Sequence, residues 1–231
     1  MKKFYDTATV SPEGGGFSVL LDGRAIKTPN KAPLLMPSEA LAKAVAAEWQ
    51  AQSDDVLPET MPMTRLVNTV IDRVAPRADE VVQELVAYAH TDLLCYRAVD
   101  QDELVAAQAK TWQPYLDWLK AELGVDLEVT SGIVPLTQSE AAIETLTNEI
   151  ASFDSFSLSA FHAFVSGFGS IVLALALVRG FQDFGTCWKA SLVDETHQEA
   201  LWGLDAEVEE TRARLKAEML ASLDLWHFSQ S

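Results

Sequence analysis

The side chains best suited to metal or nucleophilic chemistry are few: His90, His162, His197, His227, Cys95 and Cys187. One short motif sets an acid and an imidazole three residues apart, Asp194-Glu195-Thr196-His197. On a helix that spacing brings both side chains to one face. Di-metal sites in helical bundles need two Glu-x-x-His motifs and two further carboxylates, and this chain offers one approximate copy. No HExxH, GxSxG, P-loop or dinucleotide fingerprint occurs. A helical metal-dependent hydrolase using Asp194, Glu195 and His197 is one reading of these residues. Gly14-Gly15-Gly16 could cradle a phosphate, but it opens onto a strand-like run and lacks the downstream Lys-Ser/Thr. His162 reads as a core histidine and the six tryptophans as core.

The stretch from Trp188 to Trp202 reads as one helix, stopped by Gly203. At 100° per residue, Trp188, Leu192, Glu195, Glu199 and Trp202 then share a stripe, with Ser191 and Gln198 beside it. Two carboxylates would lie on the face that carries the tryptophans. If that face is buried, the acids need partners, because an unpaired buried charge costs several kcal/mol. If it is exposed, acids around tryptophan suit arginine-rich protein. Composition alone leaves both open.

Such side chains need a framework, and 231 residues with 48% hydrophobic content supply one. The balance of 17 basic against 34 acidic residues gives −17, which repels phosphate backbones and argues against nucleic-acid binding. Two cysteines far apart read as reduced thiols rather than a disulfide framework. Phe4–Val10 and Phe17–Leu21 read as strands, and Asp22-Gly23 before Arg24–Pro29 is a strong hairpin signal. Ser38 precedes a helix over Glu39–Gln50. Beyond Pro58 and Pro62 the pattern turns helical. Val82, Leu85, Val86, Ala89 and Leu93 form one stripe. Leu104, Gln108, Trp112, Tyr115, Leu119 and Leu123 form another, with Pro114 inside and Gly124 as cap. Val125–Leu136 is an extended connection. Thr137-Gln138-Ser139-Glu140 reads as a capping box before Ile143, Leu146, Ile150 and Phe153. Asp205 opens the last helix. Ser155–Val178 holds no charged residue, enough length to span a bilayer at about 20 residues. His162, its serines, Gly167 and Gly169 favour a central buried helix instead. The expected fold class is α+β: a small β-rich domain over 1–60 and a mainly α-helical domain over 61–231.

Four stretches carry a family resemblance. The first is Lys3-Phe4-Tyr5, Gly15-Gly16-Phe17, Leu21-Asp22-Gly23-Arg24 and Lys27-Thr28-Pro29. The second is Pro37-Ser38-Glu39-Ala40-Leu41-Ala42 leading to Glu48-Trp49. The third and most distinctive is Thr91-Asp92-Leu93-Leu94-Cys95-Tyr96-Arg97. The fourth is Leu192-Val193-Asp194-Glu195, Gln198, Trp202-Gly203 and Asp205-Ala206-Glu207. In order and spacing the chain resembles the assembly chaperone family of the F-type ATP synthase that acts on the alpha subunit, found in mitochondria and alphaproteobacteria. It departs at His197, where family members often carry an aromatic.

The resemblance implies a non-enzyme that binds free alpha subunit and shields its beta-facing interface until the hexamer assembles. It implies no nucleotide, metal or other cofactor; with the reading of Ser155–Val178 as a buried helix, no stable membrane insertion is expected, and the protein is expected to be a monomer. The resemblance also implies that acids of the C-terminal helices are needed. The client-binding residues expected on that ground are Asp194, Glu195, Gln198 and Trp202. Because the family-like opening begins within three residues of Met1, a bacterial cytoplasmic protein is expected, with mitochondrial-matrix relatives in eukaryotes.

Overall fold

The computed structural model describes residues 1–132 and 135–230. Its contacts gather into two compact units. One comprises Met1–Ala78, Phe153–Ala160 and Glu218–Ser231; the other comprises Asp79–Ser152 and Phe161–Ala217.

The first unit is built on a small antiparallel sheet. Strands β1 (Ala8–Glu13) and β2 (Gly16–Leu21) pair with Val10 opposite Val19, joined by Gly14-Gly15. Asp22 and Gly23 have φ of 45° and 80°, the two positive values a type I′ turn requires. They return the chain into the two-residue β3 (Arg24–Ala25), and β4 (Leu35–Met36) pairs with β2 at Ser18 and Phe17. The first strand is not the expected Phe4–Val10. It starts at Ala8, because the preceding backbone is engaged with the chain near residue 55: Lys3 N donates to Asp54 O and Val56 N to Met1 O. Tyr5 is buried there and its hydroxyl donates to Trp49 O at 2.6 Å.

Helix α1 (Glu39–Gln50) begins where a serine can cap it: Ser38 Oγ accepts from Leu41 N at 3.1 Å. Its buried Leu41, Ala42, Val45 and Ala46 pack toward β1 and β2. Glu48 then caps the next helix, α2 (Pro62–Thr69), accepting from Met63 N at 2.6 Å and from Thr64 N and Oγ at 2.7 Å. A carboxylate there answers both the orphan N–H groups and the positive end of the helix. Thr28 Oγ donates to Asp72 at 2.6 Å, tying the loop after β3 to the segment after α2.

In the second unit, α3 (Ala78–Ala87) buries Val81, Val82, Leu85 and Val86. The expected stripe ends sooner than Leu93, since two 3-10 turns follow, Tyr88–His90 and Leu93–Cys95. β5 (Tyr96–Arg97) pairs in parallel with β6 (Thr130–Ser131). The extended connection over Val125–Leu136 is thus a short strand at Thr130–Ser131, and residues 133–134 of it lie outside the described residues. α4 (Asp102–Leu123) carries Pro114 inside and ends at Gly124, φ 68°. α5 (Glu140–Ala151) is capped by Ser139, not by the Thr137 of the expected box. Gln138 prevents the earlier start, because its amide holds both the N–H and C=O of Glu128 at 2.8 and 3.1 Å.

The uncharged stretch is two helices rather than one, α6 (Ser155–Phe168) and α7 (Ile171–Val178). Among the described residues no helix is long and apolar enough to cross a membrane. Gly169 at φ 66° and Ser170 break the run. Ser170 Oγ accepts from Leu173 N at 3.0 Å and donates to both Asp92 oxygens at 2.9 and 3.0 Å. Asp92 is fully buried and also accepts from Leu94 N and Val172 N at 2.9 and 3.2 Å. Beyond this break, Ile171 to Ala176 are all 0% exposed.

Two predictions follow from this core. Leu173→Asp buries an unpaired charge in α7 and should cost more than about 4 kcal/mol; an unchanged melting transition would place α7 somewhere other than the interior. Burial pushes the Asp92 carboxyl up to about 6 against the donors that favour its charge. Its protonated form therefore adds stability at low pH, which is lost as pH rises from about 4 through about 6. Relative to Asp92→Asn, wild-type stability should fall by up to about 3 kcal/mol between pH 4 and pH 7. Chemical denaturation of both proteins across that range measures the difference, and a constant difference refutes the assignment.

Candidate functional site

The site residues fall on two helices where one was expected. α8 (Phe184–Ser191) starts at Asp183, which accepts from Thr186 N at 2.9 Å. It ends where Ser191 Oγ donates to Trp188 O at 2.9 Å, a local bond that competes with helix continuation. α9 (Val193–Trp202) follows and stops at Gly203, φ 88°. The break at Leu192 separates the tryptophans: Trp188 is 7% exposed, Trp202 86%. Trp188 stacks on Phe184 with centroids 6.1 Å apart, and Lys216 Nζ lies 5.9 Å from its ring centre.

The four expected client residues do not form one cluster. Asp194 is half-buried and accepts from Gln108 Nε2 at 2.6 Å, while Gln108 Oε1 accepts from Ala98 N at 2.8 Å. That places Asp194 in the framework, fixing α9 to α4. Glu195 and Gln198 are exposed, and Trp202 stands in solvent at the end of α9. Of the two carboxylates on the stripe, Glu199 is the paired one. It meets Arg212 of α10 (Ala206–Ser229) in a partly buried ion pair. That contact raises the Arg212 pKa, with Glu195 and Glu209 adding smaller contributions.

Asp194 and His197 serve separate partners, Gln108 and Gln101, the latter at 2.7 Å from His197 Nε2, and Glu195 faces solvent. Among the described residues no group of three or more His, Cys, Asp or Glu side chains could hold a metal. Both cysteines are free and buried, and burial pushes their thiol pKa values up, the opposite of activation.

Beside Glu195 runs a groove of about 580 Å³, floored by Phe168, Trp188 and Leu192 and walled by Val208 and Leu215 of α10. At the α9–α10 turn, Leu201, Leu204 and Val208 are 57%, 51% and 47% exposed. The sequence reading missed Gln108, Arg212 and this groove. Gln108 left a trace, a polar residue inside the apolar stripe of α4; Arg212 left none.

Charge concentrates around this surface. The unit containing it has 22 acidic and 8 basic residues, hence −14, whereas the sheet-bearing unit has 12 and 9, hence −3. Exposed tryptophan and leucine among solvent-facing acids are the features of a surface suited to binding other proteins.

Comparison with known proteins gives that class a family. The ATP12 chaperone protein family matches residues 2–120. The mitochondrial protein atp12 of Schizosaccharomyces pombe is 26% identical over 214 residues, 87% of this chain and 74% of that protein. The crystal structure of Atp12 from Paracoccus denitrificans is 42% identical, covers 99% of this chain and 98% of its own, and has a TM-score of 0.95. Atu1473 of Agrobacterium tumefaciens, described as a putative chaperone, is 38% identical, covers 98% and 85%, and has a TM-score of 0.93. The chain belongs to the ATP12 chaperone family, a non-enzymatic family of ATP synthase assembly.

The Gln108–Asp194 bond yields its own prediction. Gln108→Leu leaves Asp194 without its donor and Ala98 N without its acceptor. Thermal stability should drop by about 1–3 kcal/mol. Calorimetry tests this, and an unchanged transition removes Asp194 from the framework.

Proposed function

We propose that the protein binds the free alpha subunit of the F-type ATP synthase and shields its beta-facing interface until the alternating hexamer assembles. It does so as a monomer in the bacterial cytoplasm, without a cofactor, and contacts its client through Glu195, Gln198 and Trp202. Asp194 serves the same surface by fixing α9. The observation that carries the reading is Trp202, 86% exposed between Leu201 and Leu204 in the more acidic unit.

The chemistry of the client matches. An alpha subunit without its partners presents an apolar, arginine-bearing interface prone to aggregation. Acids steer such a surface to the chaperone and set orientation, contributing more to on-rate and specificity than to raw affinity. Apolar anchors supply the remaining attraction. A moderate interface of this kind still permits release. Exposure supports the docking role for Glu195 over the buried one: the ion pair to Arg212 belongs to Glu199, and Glu195 faces solvent.

Glu195→Gln keeps size and hydrogen-bonding capacity while removing charge. The variant should melt like wild type and bind isolated alpha subunit more weakly, by about 2–5 kcal/mol if the acid becomes desolvated against a client cation. Wild-type binding should weaken with salt, since screening acts over about 8 Å at 0.15 M. Undiminished affinity, or a strongly lowered melting temperature, sinks this role for Glu195. Isolated beta subunit is the negative control for the client.

A further inference from the structure

The groove beside Glu195 is larger than a structural gap. At about 580 Å³ it lies in the range of ligand sites, and it is fully contained in the helical unit. Its interior offers little to orient a polar small molecule. Trp188, Phe168 and Leu192 are apolar, and the hydroxyl of Ser191 is spent on Trp188 O. The polarity is at the rim, where Glu195, Asp205 and Glu207 are exposed carboxylates. Among the described lining residues the cation is Arg212, engaged by Glu199, while Lys216 lies against the Trp188 ring. Such a rim repels an acyl carboxylate or an acidic peptide.

We infer that this groove seats a short apolar segment bearing arginine or lysine: leucine-sized or aromatic side chains fill the channel over Trp188, and flanking cations pair with Glu195, Asp205 and Glu207. Resting on the client-binding reading above, this assigns the groove to a basic, apolar stretch of the client. The wall formed by Val208 and Leu215 is suited to admitting it. Both residues are exposed, at 47% and 37%, so their side chains have room to adjust around an incoming segment. Arg212 holds that wall to α9 and occupies part of the acidic rim until a client cation arrives.

Two short fluorescein-labelled peptides probe the full-length protein, both with regularly spaced leucines, one interleaved with arginine and the other with glutamate. Anisotropy should show binding of the arginine peptide alone, weakened by added salt. Thr211→Trp places a large side chain into the groove from an exposed position. It should weaken that binding about tenfold, the loss expected on blocking an interface anchor, with an unchanged melting transition. Val208→Ser, which trims the wall, should act in the same direction.

Equal binding of the two peptides overturns the inference, as does indifference to both substitutions or tighter binding of decanoate than of the arginine peptide. Capture of alpha subunit by wild type without arginine-peptide binding removes the groove and leaves the client reading. Groove-dependent peptide binding without alpha capture does the reverse.

Discussion

A carboxylate with no exposure needs donors, and Asp92 finds them at the one interruption of the most apolar stretch in the chain. Ser170 supplies a hydroxyl, while Val172 and Leu94 supply backbone N–H groups. The same serine caps α7 through Leu173 N, so one short network ends α6, starts α7 and pins the Thr91–Arg97 segment. Leu93 N donates to Gly169 O at 3.1 Å, which uses the left-handed turn as well. Removing these contacts would strand a buried charge beside a helix with six successive fully buried residues. The desolvation cost of that charge is therefore coupled to the placement of the apolar core.

The same economy holds around the start of α9. Gln108 spends both ends of its amide, one on Ala98 N and one on Asp194, and Trp112 Nε1 on the same helix donates to Ala190 O at 2.7 Å. α4 thus holds the end of α8 and the start of α9 by two specific bonds. Asp194 is consumed in that task, which frees its neighbour Glu195 to face solvent. Adjacent acids acquire different roles because successive residues on a helix point about 100° apart.

How much of this was legible follows from the range of the forces. Local signals read correctly: Ser38 before α1, Gly124 after α4, and Asp22-Gly23 in the hairpin, each a case where one residue's own geometry or side chain decides the element. Both misjudged helix breaks rest on bonds that periodicity does not encode. Ser170 caps α7 and donates its hydroxyl to Asp92, 78 positions away. At Leu192 the pattern of apolar residues runs on, while Ser191 turns its hydroxyl to the Trp188 carbonyl and α4 takes Asp194. The capping box at Thr137 failed because Gln138 was claimed by Glu128 across the connection. In the candidate site, Glu195 and Trp202 were visible as types and spacing. Their separation from Trp188 and Asp194 was not.

A chaperone that covers an interface and later yields it must attract without closing over its client. Burial of large apolar surface alone would favour an obligate complex, and charge alone would be screened over about 8 Å at 0.15 M salt. On the proposed function, the α9–α10 surface divides the work. Trp202 and Leu204 provide apolar contact at an exposed turn, and Glu195, Asp205 and Glu207 impose a sign on what may approach. The chain concentrates −14 of its −17 charge in the unit that carries this turn. A client arriving through its cationic, apolar interface would be favoured there. On the same proposal, a partner subunit completing that interface would remove both attractions at once, because it would cover the cations and apolar side chains through which the client would hold the chaperone.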